Sequence, residues 1–270
     1  MSTPWIFICP SSRGIGHTLT QHLLKTTTLP ILATTRNTNP SATKSSILNT
    51  LQANNHADFS SRLHLLTMDV TDPPSMEEAS RQARALFPAK THHLHLSFAI
   101  PGILTPEKSL AGIDPDSSMA MFQVNTLGPL LLAKYFAEFL PRRSTEIDVD
   151  KLDGVSRHAT WVFMSARVGS VTDNRSGGWF SYRASKAAVN SITKSVDIML
   201  KTRSGDKALA IAYHPGTVKT GLSEEFWGRV PEKQLFTPEY AVDRMVSVVN
   251  GLDVSQRGRC WDWKGEEIPP

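Results

Sequence analysis

A doubly wound α/β sheet is predicted by two observations along this 270-residue chain. Apolar runs of strand length alternate with segments of helical period, and the first run passes through a glycine-containing turn directly into a helix. Residues 4–9 read as the first strand, and Pro10-Ser11-Ser12-Arg13-Gly14-Ile15-Gly16 leads into a helix over 17–26. A second strand follows at 29–35, then a Ser/Thr/Asn-rich stretch with a helix near 42–53. The third strand spans 63–70, a helix 75–87 and a fourth strand 93–99. Helical pattern then covers 114–126 and 128–140, with Gly128-Pro129 marking the bend or interruption between them. A fifth strand (159–165), a long helix (180–201), a sixth strand (208–214), a helix (238–251) and a short strand (259–263) complete the order. Strands alternating with helices imply right-handed crossovers and a mostly parallel sheet covered on both faces, a single Rossmann-like domain over 1–270. Such sheets bind ligands at the carboxyl ends of their strands.

Composition narrows the function. Apolar residues make up 40% and charged residues 20%, the balance of a soluble globular chain, and the formal charge of +4 is scattered instead of gathered into a stripe. A nucleic-acid partner is therefore not expected. No apolar stretch approaches the roughly 20 residues needed to span a bilayer, and no signal-peptide pattern precedes the first strand, so a cytoplasmic protein without membrane contact is expected. Cys9 and Cys260 are too few for a disulfide framework. His92, His93 and His95 lack a second ligand group at metal-binding spacing, so they read as the start of a strand and no metal site is expected. Residues 142–158, of mixed charge, read as an exposed loop.

Tyr182 and Lys186 carry the first chemical signal. Four residues apart on a helix, they share one face about a turn apart. An ammonium beside a phenol favours the phenolate, which lowers the Tyr pKa from about 10 toward working pH. A phenol so tuned is a general acid for an alkoxide or carbonyl oxygen. Gly14 and Gly16 supply the second signal: at a turn opening a helix, they allow a pyrophosphate to approach backbone N–H groups and the positive end of the helix dipole.

Together these residues resemble the short-chain dehydrogenase/reductase family over nearly the whole chain. The family's opening motif, Thr-Gly-x-x-x-Gly-x-Gly, falls on Cys9 to Gly16, with Pro10 where a glycine is expected. The resemblance implies cofactor contacts from Ser12, Arg13, Gly14, Ile15 and Gly16. An NAD enzyme places an acid at the end of the second strand for the ribose 2′-hydroxyl. Here Thr34-Thr35-Arg36-Asn37 offers none, and Arg36 with Arg13 could clasp a 2′-phosphate, so the expected cofactor is NADP(H). The resemblance also assigns the adenine contact to Asp69-Val70, a tetrad role to Asn125, and nicotinamide and pyrophosphate contacts to Val218 and Thr220 after Pro215-Gly216. By the same resemblance Lys186 would also bind the nicotinamide ribose, and Asn125 and Tyr182 join the cofactor-binding residues. Leu96-Ser97-Phe98-Ala99-Ile100 replaces the usual Asn-Asn-Ala-Gly.

The family's catalytic serine stands three residues before a glycine, and counting back from Gly169 gives Ala166. Ser165 and Ser170 flank that position; Ser165 ranks first, and a site without an acting serine stands beside both. The segment 173–179 before Tyr182 and the ending 259–269 are similar to carbonyl reductases of the sniffer and C-factor type. The resemblance thus implies NADPH-dependent interconversion of a small-molecule carbonyl and an alcohol, in a homo-oligomer packed through residues 114–140 and 180–201. Residues 222–237, with Phe226, Trp227, Leu235 and Phe236, read either as a mobile lid over an apolar pocket or as ordinary core. The alternative function is a dinucleotide-binding protein without redox turnover, motivated by Pro10, Ala166 and the altered central motif.

Overall fold

The computed structural model describes residues 1–52 and 59–270. Among them, the central sheet has eight strands in the order β10-β9-β6-β5-β4-β1-β2-β3. These are β1 (Thr3–Cys9), β2 (Ile31–Thr35), β3 (Leu63–Thr67), β4 (His92–Ala99), β5 (Ala159–Met164), β6 (Ala208–His214), β9 (Cys260–Asp262) and β10 (Glu267–Ile268). All neighbours pair in parallel except β9 with β10. The order reverses between β1 and β4, so the crossovers diverge there and leave a crevice at the carboxyl ends of the strands.

Strand parity explains the two cores. Ile6 and Ile8 face one side of the sheet, and pack with Leu19 and Leu23 of α1 (Gly14–Thr26), Ile47 of α2 (Pro40–Gln52) and Val242 and Met245 of α7 (Pro238–Gly251). Trp5 and Phe7 face the other, against Met76 of α3 (Pro73–Leu86), Leu132 and Phe136 of α5 (Gly128–Phe136) and Val189 and Leu200 of α6 (Phe180–Ser204). Phe7 stacks on Phe136 with centroids 4.3 Å apart, and Trp5 on Phe87 at 4.5 Å. Each such fully buried side chain contributes about 1.5–3 kcal/mol of burial free energy. That is why β1 stays pinned at the sheet centre with the glycine turn at its end.

The expected interruption at Gly128-Pro129 is corrected. The helical path breaks one turn earlier: α4 (Pro115–Phe122) passes into a wide π-type turn over Gln123–Leu127, then into α5. Pro129 sits in the first turn of α5, where its missing N–H breaks no bond within that helix, and Gly128 keeps right-handed geometry. Asn125 lies within the wide turn and is fully buried. The third strand stops at Thr67, short of Val70. Residue 53 of the helix expected over 42–53 lies outside the described residues. The two-residue strands β7 (Thr217–Val218), β8 (Leu235–Phe236) and β10 had no sequence signal long enough to read.

The histidines form a chain inside the fold. His93 meets Ser2 Oγ at 3.0 Å and His95 Nδ1 at 3.1 Å, and His95 Nε2 reaches the Ser156 carbonyl at 2.8 Å. Burial pushes the two imidazoles down to about 3 and about 4, so they are neutral at pH 7. They tie Ser2 and the 142–158 loop to the end of the sheet opposite the crevice. The Ser97 hydroxyl of β4 is buried without a partner among the described residues. No helix among the described residues is long and apolar enough to cross a membrane.

Candidate active site

The crevice, of about 1500 Å³, is bordered by the ends of β1, β4, β5 and β6 and by the segments that follow them. At its glycine turn, Ser11 donates both its N–H (2.8 Å) and its hydroxyl (2.9 Å) to the Thr34 carbonyl, fastening the turn to β2. The Cys9–Pro10 peptide is cis. A Cβ on Gly16 would lie 1.9 Å from the Pro10 carbonyl oxygen, so only glycine fits beneath the turn. Gly14 has φ +56°, in the left-handed region. Arg13, the residue capping α1, makes no side-chain bond to the helix end, leaving first-turn N–H groups for a ligand.

Arg13 and Arg36 are both exposed and border the crevice. Among the described residues, neither guanidinium has a hydrogen-bond or ion-pair partner. Open N–H groups at the glycine turn and two unpaired guanidiniums fit a phosphorylated dinucleotide. Asp69 and Val70 also border this end. The Asp69 carboxylate accepts from Thr71 N (2.8 Å) and Thr71 Oγ1 (2.7 Å), and Val70 packs against Gly128. Thr220 abuts Gly14, bringing the Pro-Gly segment against the glycine turn. The Val218 carbonyl takes the Ser223 hydroxyl at 2.5 Å.

Asn125, Tyr182 and Lys186 converge at the other end. Asn125 clasps Ile103 through both amide atoms, accepting from its N–H at 2.8 Å and donating to its carbonyl at 2.9 Å, and donates also to Ser185 Oγ at 3.1 Å. Lys186 is buried and donates to the Met164 carbonyl at 2.9 Å. A Cβ on Gly102 would stand 3.8 Å from both Lys186 Nζ and Asn125 Oδ1, so glycine keeps that space open between the two groups. Gly169 serves the same helix from behind, since a Cβ there would meet the Lys186 backbone at 2.7 Å.

The expected fall of the Tyr182 pKa is corrected. Desolvation pushes the buried phenol up to about 12, and the same burial pulls Lys186 down to about 8. Lys186 Nζ lies 5.8 Å from the Tyr182 ring centroid and spends a hydrogen bond on β5, so in the free protein burial outweighs its charge at the phenol. The free protein therefore holds Tyr182 as a protonated phenol, the form a proton donor needs.

Strand parity also decides where the serines point. Trp161 and Phe163 face α6, and Ser165 continues their alternation just beyond β5. It borders the crevice, but its hydroxyl donates to Asn190 Oδ1 at 2.6 Å. Ser170 Oγ accepts from Asp173 N at 3.0 Å and donates to the Pro270 carbonyl at 3.4 Å. Ala166, and not a serine, shares a buried apolar cluster with Tyr182 and Met121, against which Ile103, Leu104, Val168 and Trp179 pack.

That cluster forms one wall of the crevice, and Trp179, Ile103, Leu104 and Val168 in it were not singled out by sequence reasoning. The Trp179 ring packs on Phe226 (centroids 4.9 Å) and edge-on to Tyr182 (6.1 Å). The glycine pair Gly177-Gly178, with a large aromatic directly before a helix, is the signal that could have found it. Of the aromatics in 222–237, Phe226 faces the crevice, whereas Phe236 packs on Trp263 at 4.5 Å as core. Trp227 donates to Ser223 Oγ at 2.9 Å.

The sequence profile of the short chain dehydrogenase family matches residues 4–229, and the chain belongs to that family of oxidoreductases. Among curated relatives, the 1-hydroxy-2-glutathionyl-2-methyl-3-butene dehydrogenase of Rhodococcus sp. (strain AD45) is 29% identical over 192 residues, covering 71% of this chain and 74% of its own. The NADPH-bound carbonyl reductase from chicken fatty liver superposes with a TM-score of 0.81 at 25% identity, over all of both chains. The carbonyl reductase Sniffer of D. melanogaster shares the fold (TM-score 0.78, 22% identity, full coverage of both). The resemblance to carbonyl reductases read from the sequence thus has its counterpart in the fold.

Proposed function

We propose that this protein is an NADPH-dependent oxidoreductase that interconverts a carbonyl compound and an alcohol. The observation that carries the reading is that Tyr182 and Lys186 border the crevice that also holds the glycine turn and the two unpartnered arginines, with Asn125 buried behind them against Ile103. Ser12 to Gly16 and Thr220 would cradle the pyrophosphate, Arg13 and Arg36 the 2′-phosphate, and Asp69-Val70 the adenine. Val218, Lys186 and Tyr182 would lie at the nicotinamide end. The bound nicotinamide supplies or accepts the hydride.

In the reductive direction, Tyr182 delivers its phenolic proton to the developing alkoxide oxygen. The low-dielectric wall around it strengthens that hydrogen bond as charge builds on the oxygen. Lys186 stabilises the phenolate left behind, and the space over Gly102 between Lys186 and Asn125 suits a relay that returns a proton from solvent. Ser165 is assigned to holding β5 against α6 through Asn190, leaving Tyr182 as the direct donor. Residues 222–237 act as a lid whose Phe226 closes on Trp179 over an apolar substrate. We take 1–270 as one NADP-binding domain in the cytoplasm, and assembly of copies through α4–α6 as an expectation from family resemblance.

Ala166 in the apolar cluster of Tyr182 favours one rival, a dinucleotide-binding protein that has lost redox turnover and acts as a sensor or catalyses a non-redox step. NADPH oxidation measured against a panel of aldehydes, ketones and quinones separates the two. Turnover on members of the panel is expected. Tight NADPH binding with no oxidation on any of them would overturn the reading in favour of the rival.

A further inference from the structure

Glu107 is a buried carboxylate with no part in the chemistry above. It lies on the segment after β4, between Pro106 and Lys108, which both border the crevice. Its Oε2 accepts from Ser181 N at 2.7 Å and its Oε1 from Ser181 Oγ at 2.5 Å. Because Ser181 Oγ donates to the carboxylate, it accepts from Ser118 Oγ of α4, 2.7 Å away. The Glu107 backbone carbonyl takes Trp179 N at 2.7 Å. One residue thus holds both the residue before α6 and its second residue, next to Tyr182, the third.

This end of α6 needs an outside partner. Its capping residue, Trp179, offers no side-chain bond, and the helix has no acidic residue in its first turn. Gly177, Gly178 and Trp179 are all left-handed (φ +61°, +65° and +52°), an uncommon conformation for a tryptophan. A chain entering a helix this way keeps its geometry only where the surroundings fix it. The Glu107 carboxylate supplies charge-assisted bonds and a negative charge at the positive end of the helix dipole.

Resting on the proposed function, we propose that Glu107 is a positioning residue for the acid Tyr182. It caps α6 from the substrate-side segment, and so fixes the phenol and the Trp179 ring relative to the carbonyl. Lys186 and Asn125 have further anchors away from the start of α6, through the Met164 carbonyl and the Ile103 backbone. Losing the Glu107 tether should therefore move the proton donor while sparing the cofactor end.

The test combines turnover with amide hydrogen exchange in the parent, Glu107→Ala and Glu107→Gln proteins. A misplaced catalytic group costs up to about 10²-fold in rate, so kcat for carbonyl reduction in Glu107→Ala should fall about 10- to 100-fold. The KM for NADPH should stay at the parent value, and exchange protection should drop at residues 181–183. Glu107→Gln keeps an acceptor for Ser181 N and an amide that can face its hydroxyl but loses the charge, so it should restore most of the rate and of the protection. Parent-like kcat in Glu107→Ala would overturn the proposal. So would a fall in kcat accompanied by loss of NADPH binding and not rescued by Gln, which marks general damage. A parent inactive on every carbonyl would overturn the function itself; exchange would still test the tether, and unchanged protection at 181–183 would overturn that too.

Discussion

Replacing Ala166 with serine should make the protein a faster reductase. The Ala166 methyl lies in the apolar cluster with Tyr182 and is nearly buried. A hydroxyl there would give the developing alkoxide a second donor beside the phenol. Deleting one such donor from a site built for it costs about 10² to 10³ in kcat. Adding one to an unprepared wall should recover less, about 10- to 100-fold, or roughly 1.4–2.7 kcal/mol of barrier. A buried hydroxyl without a partner costs about 1–3 kcal/mol. Ala166 borders the open crevice, so a stability loss at the lower end is expected, read as a small drop in melting temperature. Ser165→Ala is the control. It removes the 2.6 Å bond to Asn190 and should cost about 1–2 kcal/mol of stability, leaving kcat near the parent value. Steady-state NADPH oxidation and thermal melts on the three proteins give both numbers. A folded Ala166→Ser protein with no gain, together with a hundredfold loss in Ser165→Ala, would refute the reasoning, because Ser165 would then be the donor.

Two further outcomes follow from the electrostatics. Reduction needs Tyr182 protonated, which holds to about pH 12, and Lys186 charged, which holds only below about 8. The kcat/KM for carbonyl reduction should therefore be flat at neutral pH and fall as pH rises through about 8; a profile flat to pH 10 would contradict the assignment of Lys186. Arg36→Ala removes one guanidinium from the proposed 2′-phosphate site. Charge-assisted bonds are worth about 1.5–3 kcal/mol, so the KM for NADPH should rise at least tenfold with little change for NADH. Equal effects on both cofactors would place Arg36 elsewhere.

The sequence carried the sheet well because buried parallel strands such as 208–214 are short unbroken apolar runs closed by turn residues, here Pro215-Gly216. Its glycines were equally legible: Gly16 is required by a 1.9 Å approach that no other residue survives. What it concealed depends on three-dimensional direction. The i, i+4 spacing put Lys186 beside Tyr182 but could not show Nζ turning to the Met164 carbonyl, so the sign of the Tyr182 shift was missed. Gly128-Pro129 drew attention from the wide turn that buries Asn125, since π-type geometry has no residue signature of its own. Glu107 was silent for a similar reason: its partner on α6 lies 74 positions away.

The central claim, that the Tyr182 phenol is the proton donor of carbonyl reduction, is tested most directly by Tyr182→Phe. NADPH affinity by fluorescence titration and the rate of NADPH oxidation with the best carbonyl substrate of the parent should be measured on the same preparations. Removing the acid that works against a developing charge should lower kcat by about 10² to 10⁴ while NADPH affinity stays within a few-fold of the parent. A Tyr182→Phe protein that turns over at the parent rate would contradict the account.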